Sequence, residues 1–205
     1  MILKKIKAIR YNQDLKSSFQ NSRNSYNQRS GYIIKLYIDQ HCGCGEASPL
    51  PFFSKENLSQ IEWAIEELKA GLLINHEYSV SELLFLFSVF AKDYPSLNFA
   101  LDFALYDVLS KKKNSSIAKY LNKNALSSVQ FSAIDFNNIQ KNSTIKLKLG
   151  IKDLKSDIKF IENISNKYPN LLFRIDFNRC CSLDDAIFAC NKLEKINIEY
   201  VEEPL

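Results

Sequence analysis

The chain has 205 residues, of which 46% are hydrophobic and 24% are charged, and its net charge at pH 7 is +4. This balance is typical of a globular protein, and the basic residues do not form the stripe that a nucleic-acid-binding surface requires. Apolar runs fall short of the roughly 20 residues that a membrane-spanning helix needs, and the lysine-interrupted N-terminus does not fit a signal peptide. The sequence therefore predicts a cytoplasmic protein that binds neither nucleic acid nor membrane.

Cysteine and histidine usage limits the possible metal chemistry. Five cysteines are an odd number, and we expect them to be reduced thiols in a cytoplasmic chain. The pair in Cys42-Gly43-Cys44 has no second pair at zinc-finger spacing, which favours structural thiols in a hairpin. With only two histidines, a histidine-rich metal site is excluded.

The first part of the chain predicts three strands. Residues 2–10 alternate apolar and charged side chains, residues 31–39 are mostly apolar, and residues 42–48 form a short third strand. Residues 12–30 are rich in Asn, Ser and Gln, and we expect a long mobile loop there.

Three helical stretches follow these strands. The first covers residues 58–72, with Ser54 or Asn57 as its cap. The second, over residues 81–94, is so apolar that we expect it to be buried, and Ser96 is the expected cap of the third. Strands followed by helices indicate an α+β domain, which we place at residues 1–125.

The pattern changes after residue 127. The segments VQFSAI, TIKLKLG, NLLFRIDFN and NIEYVEEPL have the composition of buried strands, and helical segments separate the last three. Strands that alternate with single helices predict a parallel sheet, which we place in a second domain at residues 126–205. The polar segment FNNIQKNS is too short and too weak a helix former for a full first connection, so we expect at most a turn there.

Polar side chains follow three of these strands where each strand ends. Lys146 and Lys148 end one strand, Asp176 the next, and Glu202 with Glu203 the last. In a (β/α)8 barrel the carboxyl ends of the strands build the active site. We therefore expect these residues to lie together in a single active site.

The residue types at these tips predict both a base and a metal site. Lys146 and Lys148 are two apart on a strand and face the same way, so each should lower the pKa of the other and favour a neutral amine that can act as a base. Two surface lysines on an edge strand remain the alternative. Asp176 and Glu202 offer the hard oxygen ligands that Mg²⁺ prefers.

The order of these motifs resembles the muconate-lactonizing subgroup of the enolase superfamily, which carries KxK, RxDxN and EEP at strand ends. The segments GCGEASPLPFFSKENL and FALDFALYDV resemble o-succinylbenzoate synthases in particular, apart from Phe52-Phe53, where the family usually has a glycine. The resemblance implies an α+β capping domain followed by the first half of a (β/α)8 TIM-type barrel, which here stops after strand 4.

The resemblance also implies roles for individual residues. Lys148 would be the general base and acid, while Lys146 would tune it and touch the substrate carboxylate. Asp176 and Glu202 would bind Mg²⁺, and Glu203 would point away. The implied supporting or substrate-binding residues are Asn178, Arg174, Arg29 and Tyr26.

The implied activity is that of a Mg²⁺-dependent lyase that forms o-succinylbenzoate for menaquinone synthesis by removing a proton next to a carboxylate. The alternatives are an N-succinylamino acid racemase, a dipeptide epimerase, a muconate cycloisomerase or a non-catalytic remnant. The partner would be a small-molecule carboxylate substrate, and an oligomer is possible. The family places a third acidic ligand and a second lysine on later strands, so we expect little catalysis from these 205 residues alone.

Overall fold

The computed structural model describes residues 1–20, 25–133, 143–149, 153–179 and 181–205. These residues divide into two compact units, one that ends at Leu126 and one that begins at Ser127. Within the described ranges, none of the helices is long and apolar enough to cross a membrane.

The N-terminal unit contains a four-stranded antiparallel sheet in the order β3-β2-β1-β4. The strands are β1 (Ile2–Gln20), β2 (Ser25–Ile38), β3 (His41–Ala47) and β4 (His76–Glu77).

The expected loop at residues 12–30 is wrong, because β1 and β2 continue through its described residues as a hairpin ribbon. Polar side chains pair across this ribbon. The Ser30 hydroxyl donates to Asn12 Oδ1 at 2.6 Å, and Gln28 Nε2 donates to Asp14 Oδ1 at 2.7 Å. Such cross-strand pairs stabilise the part of the ribbon that has few apolar residues.

Four helices follow in the same unit: α1 (Leu58–Gly71), α2 (Val80–Phe90), α3 (Pro95–Lys112) and α4 (Ile117–Leu121). The prediction of Asn57 as the cap of α1 is confirmed, since Asn57 and Gln60 form a capping box. The expected burial of α2 is wrong, because only Leu83 and Phe87 are buried while Phe85 is 66% exposed.

Helix α3 begins one residue earlier than the predicted cap. Tyr94 occupies the cap position without a side-chain hydrogen bond, Pro95 opens the helix, and Ser96 lies inside it. The carboxylate of Glu56 instead accepts from the Ser96 backbone N–H at 2.8 Å. A distant, buried side chain therefore supplies the cap that the local sequence lacks.

The core of this unit depends on a close approach between β3 and α3. A Cβ atom on Gly43 would lie 2.0 Å from the Ala104 carbonyl oxygen, and one on Gly45 would lie 1.9 Å from that of Ala100. Glycine is therefore required at both strand positions if the helix is to lie on the sheet.

The C-terminal unit is a parallel sheet in the order β5-β6-β7. Its strands are β5 (Thr144–Lys148), β6 (Leu172–Asp176) and β7 (Ile198–Glu202), and its helices are α5 (Leu154–Lys167) and α6 (Leu183–Leu193). This alternation confirms the predicted parallel arrangement. Fully buried Ile145, Phe173 and Ile175 lie in the core of this unit.

The predicted first strand of this unit is reduced among the described residues to one bridge, between Ala133 and Ile145. Phe131, which the prediction buries, is 87% exposed. Residue 134 and the connection predicted to be at most a turn lie outside the described residues, apart from Ser143 at its end.

Candidate active site at the strand tips

The strand register places four of the predicted residues together. Lys148 is aligned with Asp176 on β6, and Asp176 is aligned with Glu202 on β7. Lys146 lies two residues before Lys148 and therefore faces the same side of the sheet. The intervening residues on β5 and β6, Leu147 and Ile175, belong to the apolar core on the opposite side.

Lys146 joins the two predicted metal ligands. Its Nζ lies 3.2 Å from Asp176 Oδ2 and donates a short hydrogen bond to Glu202 Oε2. The Glu202 hydrogen bond, aided by Asp176, raises the pKa of Lys146 against the opposing effect of burial. The prediction that Lys148 lowers the pKa of Lys146 is therefore wrong. Two carboxylates from other strands contact Lys146, and the spacing of residues in the sequence did not reveal these contacts.

Lys148 and Asp176 are linked through Asn178. Lys148 Nζ donates to Asn178 Oδ1 at 3.3 Å, and the Asn178 backbone N–H donates to Asp176 Oδ1 at 3.0 Å. Asp176 is only 6% exposed, so these contacts hold a buried carboxylate. Asn178 thus contacts both the predicted base and a predicted ligand.

Arg174 has other partners. Its Nε donates to Glu199 Oε2 at 2.5 Å, and its guanidinium lies 5.4 Å from the centre of the Tyr200 ring. These contacts pair β6 with β7 below the strand tips, so Arg174 is a structural neighbour of the cluster.

An ion pair that the sequence did not reveal joins the loops after β6 and β7. The Arg179 guanidinium donates to Glu203 Oε1 at 2.9 Å, and the Arg179 backbone N–H donates to the Glu203 carbonyl at 2.8 Å. Both residues have positive φ angles, 56° and 41°, which non-glycine residues rarely adopt. We call this pair the Arg179–Glu203 latch. The only related signal in the sequence was strand alternation, which predicted that Glu203 points away from Glu202.

Tyr26 and Arg29 lie on β2 of the N-terminal unit. The Tyr26 hydroxyl donates to the Pro51 carbonyl at 3.0 Å, and Arg29 donates to the Pro49 carbonyl at 3.1 Å and closely to that of Ser48. Both side chains therefore anchor the segment that precedes α1. A cavity of about 630 Å³ opens beside Arg29.

The site offers two of the carboxylate ligands that a hard divalent cation prefers. Asp176 and Glu202 present carboxylate oxygens from adjacent strands, and a single ammonium group already bridges them, so a positive charge is accommodated between them. Carboxylate oxygen is the ligand type that Mg²⁺ selects. Across the described ranges, His, Cys, Asp and Glu side chains do not form a metal-binding group of three or more.

Parallel strands whose carboxyl ends carry polar side chains are the arrangement of an active site in a (β/α)8 barrel. A model described as the MenC N-terminal domain matches residues 3–108, and one described as the enolase C-terminal domain-like family matches residues 138–205. The chain belongs to the MenC N-terminal domain family, within the enolase superfamily. The predicted fold, a capping domain followed by part of a TIM-type barrel, is confirmed.

Similar proteins of known function include epimerases and o-succinylbenzoate synthases. An L-Ala-D/L-Glu epimerase of Francisella tularensis subsp. novicida is 28% identical over 93% of this chain. An o-succinylbenzoate synthase of Pasteurella multocida is 25% identical over 99% of it. The chain spans 58% and 59% of these two relatives.

Solved structures show the same fold over the whole chain. The substrate-liganded L-Ala-D/L-Glu epimerase from Bacillus subtilis has a TM-score of 0.86 at 23% identity, and this chain covers 62% of it. A dipeptide epimerase from Enterococcus faecalis, complexed with Mg and the dipeptide L-Leu-L-Tyr, has a TM-score of 0.84 at 20% identity, again with 62% covered. In both cases this chain is covered completely.

Proposed function

We propose that the chain carries the capping domain and the base-bearing part of the barrel of an enzyme that removes the proton next to a substrate carboxylate. The observation that supports this most strongly is the placement of Lys148, Lys146, Asp176 and Glu202 on one side of three aligned strand tips. These residues place two amines beside two carboxylates. In this reaction an amine can act as the base, and the carboxylates can bind a metal ion.

Asp176 and Glu202 are the residues that would hold Mg²⁺. A bound Mg²⁺ supplies a Lewis acid that stabilises the negative charge of an enediolate. Asp176 is buried and has its Oδ1 fixed by the Asn178 N–H, so its position is set before any ligand arrives.

Lys148 is the proposed base. Its Nζ would take the proton from the carbon next to the substrate carboxylate, and it must be neutral to do so. The Asn178 side-chain oxygen, 3.3 Å away, would orient the amine. Lys146, held by the two carboxylates, would present fixed positive charge beside the carboxylate of the substrate.

The comparisons favour epimerisation of a dipeptide over the o-succinylbenzoate synthesis that the sequence motifs suggested. An L-Ala-D/L-Glu epimerase is the more similar of the two relatives, and dipeptide epimerases recur among the structures of the same fold. Formation of o-succinylbenzoate stays as the second candidate, because the MenC N-terminal domain model matches and such synthases are relatives at 25% to 26% identity.

Hydrogen exchange at a single carbon tests the proposal without requiring the complete reaction. The chain would be incubated in D₂O with Mg²⁺ and L-Ala-L-Glu, and loss of the α-proton of the glutamate residue followed by proton NMR. Exchange requires only the proton-transfer step, in which the proposed base and the two proposed ligands take part, so we expect slow exchange even where complete turnover is small. This exchange should need Mg²⁺, and Lys148→Ala should abolish it. The same chain would be tested for formation of an aromatic product from an o-succinylbenzoate precursor, which separates the two candidate substrates.

The matched control is Lys159→Ala, which removes an exposed lysine from α5. It should leave exchange unchanged. Exchange that persists in Lys148→Ala, or that is absent from the unsubstituted chain with both substrates, would contradict the proposal for this chain.

A further inference from the structure

The Cys42-Gly43-Cys44 segment lies on β3, at one edge of the N-terminal sheet. Cys42 and Cys44 are both free and half-buried. They lie two residues apart on a strand, so their side chains leave the same face, while Gly43 between them faces α3.

The backbone of this dithiol is fixed by a charged pair on α3. Asp107 Oδ2 accepts from the Cys44 N–H at 2.9 Å, and Lys111 Nζ donates to the Cys42 carbonyl at 2.8 Å. Lys111 and Asp107 also contact each other at 2.8 Å. The unpaired edge of β3 is therefore closed by side chains, and both cysteines are held at a fixed spacing.

The two thiols lie close enough to influence each other. A hydrogen bond joins the side chains of Cys42 and Cys44. A soft cation that binds both sulfurs would replace the two thiol protons, which leave to solvent.

The geometry of the strand distinguishes between a disulfide and a bridging ion. Same-face residues on a strand are about 6.7 Å apart at Cα, from about 3.3 to 3.4 Å per residue. That spacing is near the upper end of the range of about 4.4–6.8 Å for disulfide Cα atoms, and above the most common value of about 5.5–6 Å. Two thiolate–metal bonds of about 2.3 Å separate the sulfurs by about 4.6 Å, which an extended dithiol reaches without bending the strand.

Ligand number then selects the ion. Zinc takes four protein ligands in a structural site, and the described residues provide no group of three or more His, Cys, Asp or Glu. Thiolate sulfur selects soft ions such as Cu(I), which accepts two ligands. We propose that Cys42 and Cys44 form a two-coordinate site for Cu(I), separate from the strand-tip cluster in the other unit.

The site is tested by Cu(I) titration of the full chain without oxygen, in competition with a bathocuproine chelator. The background would carry Cys180→Ser, Cys181→Ser and Cys190→Ser, so that only the β3 pair remains. We expect one Cu(I) per chain. Replacing either remaining cysteine by serine should weaken binding by at least about 100-fold, beyond the roughly 10–100-fold that loss of an outer-shell partner costs.

Circular dichroism would establish that each serine variant keeps the fold of the background. Asp107→Asn adds a second test, because loosening the Cys44 backbone should weaken binding while both thiols remain. The proposal would be overturned if the background protein competes with the chelator for Cu(I) no better than the variant that lacks both Cys42 and Cys44. Equal affinity in the background and in either single-serine variant would also overturn it, since one thiol would then suffice.

Discussion

Single carboxylates in this protein have different tasks that depend on what lies opposite them. Glu56 is 6% exposed and faces a helix N-terminus rather than a cation, whereas Asp176, also 6% exposed, faces Lys146. Both are buried with a partner, as buried acids must be, but only the second is adjacent to another carboxylate. The neighbours of a residue, more than its burial, therefore separate the structural acid from the candidate ligand.

Glu56→Gln should lower the stability of the N-terminal unit by about 1 kcal/mol at pH 7, the usual worth of a helix cap. Burial alone would raise the pKa of Glu56, but the Ser96 N–H holds it below its ordinary value. A depressed pKa contributes stability above the unfolded value of about 4.3, and that contribution is lost as the pH falls through the folded pKa.

Denaturant unfolding from pH 7 to pH 3 measures this effect. The difference between the original chain and Glu56→Gln should shrink as the pH falls below about 4. Glu67→Gln, at an exposed position of α1, is the control and should show no such trend. If the difference in unfolding free energy between the original chain and Glu56→Gln stays constant with pH, the charge of Glu56 does not cap α3.

At the scale of secondary-structure elements, two contacts set the architecture. β3 lies on α3 because glycine leaves room for the helix backbone. In the other unit, the Arg179–Glu203 latch joins the loops that follow the two carboxylate-bearing strands. The first contact is a packing requirement, and the second holds strained backbone at the candidate site, where such strain is most often found.

Gly45→Ala should destabilise the N-terminal unit by about 1–3 kcal/mol, the cost of overpacking, because the new methyl group meets the rigid backbone of Ala100. Gly71→Ala is the matched comparison. Its methyl group would meet the ring of Phe90, which can move, so a smaller loss is expected. Equal unfolding free energies for Gly45→Ala and the original chain would show that β3 and α3 do not pack this closely.

Breaking the latch should change metal affinity more than stability. Arg179 and Glu203 side chains are 68% and 50% exposed, and an exposed ion pair contributes about 0–1 kcal/mol. Arg179→Ala should nevertheless weaken Mn²⁺ binding by about 10-fold, the lower end of what outer-shell substitutions cost. Glu199→Gln, which breaks the other β6–β7 ion pair, is the control. Unchanged Mn²⁺ affinity in Arg179→Ala would remove the latch from the site.

At the scale of the whole chain, the sequence was most informative where one physical pattern decided the structure. Alternation of strand and helix predicted the parallel unit. Period-two spacing predicted that Lys146 and Lys148 face the same way, and their position at a strand end predicted that they lie near Asp176 and Glu202. The predictions failed where distant partners decide. The polar ribbon of β1 and β2 depends on cross-strand pairs, and the raised pKa of Lys146 depends on a residue 56 positions away.

The most direct test of the account is divalent-ion binding at the strand tips. Mn²⁺ binding to the chain would be measured by electron paramagnetic resonance for the original sequence, Asp176→Asn, Glu202→Gln and the control Glu199→Gln. We predict one site that each of the first two substitutions weakens at least about 10-fold and that the control leaves intact. Binding that is equal in all four proteins, or absent from the original chain, would contradict the assignment of Asp176 and Glu202 as metal ligands.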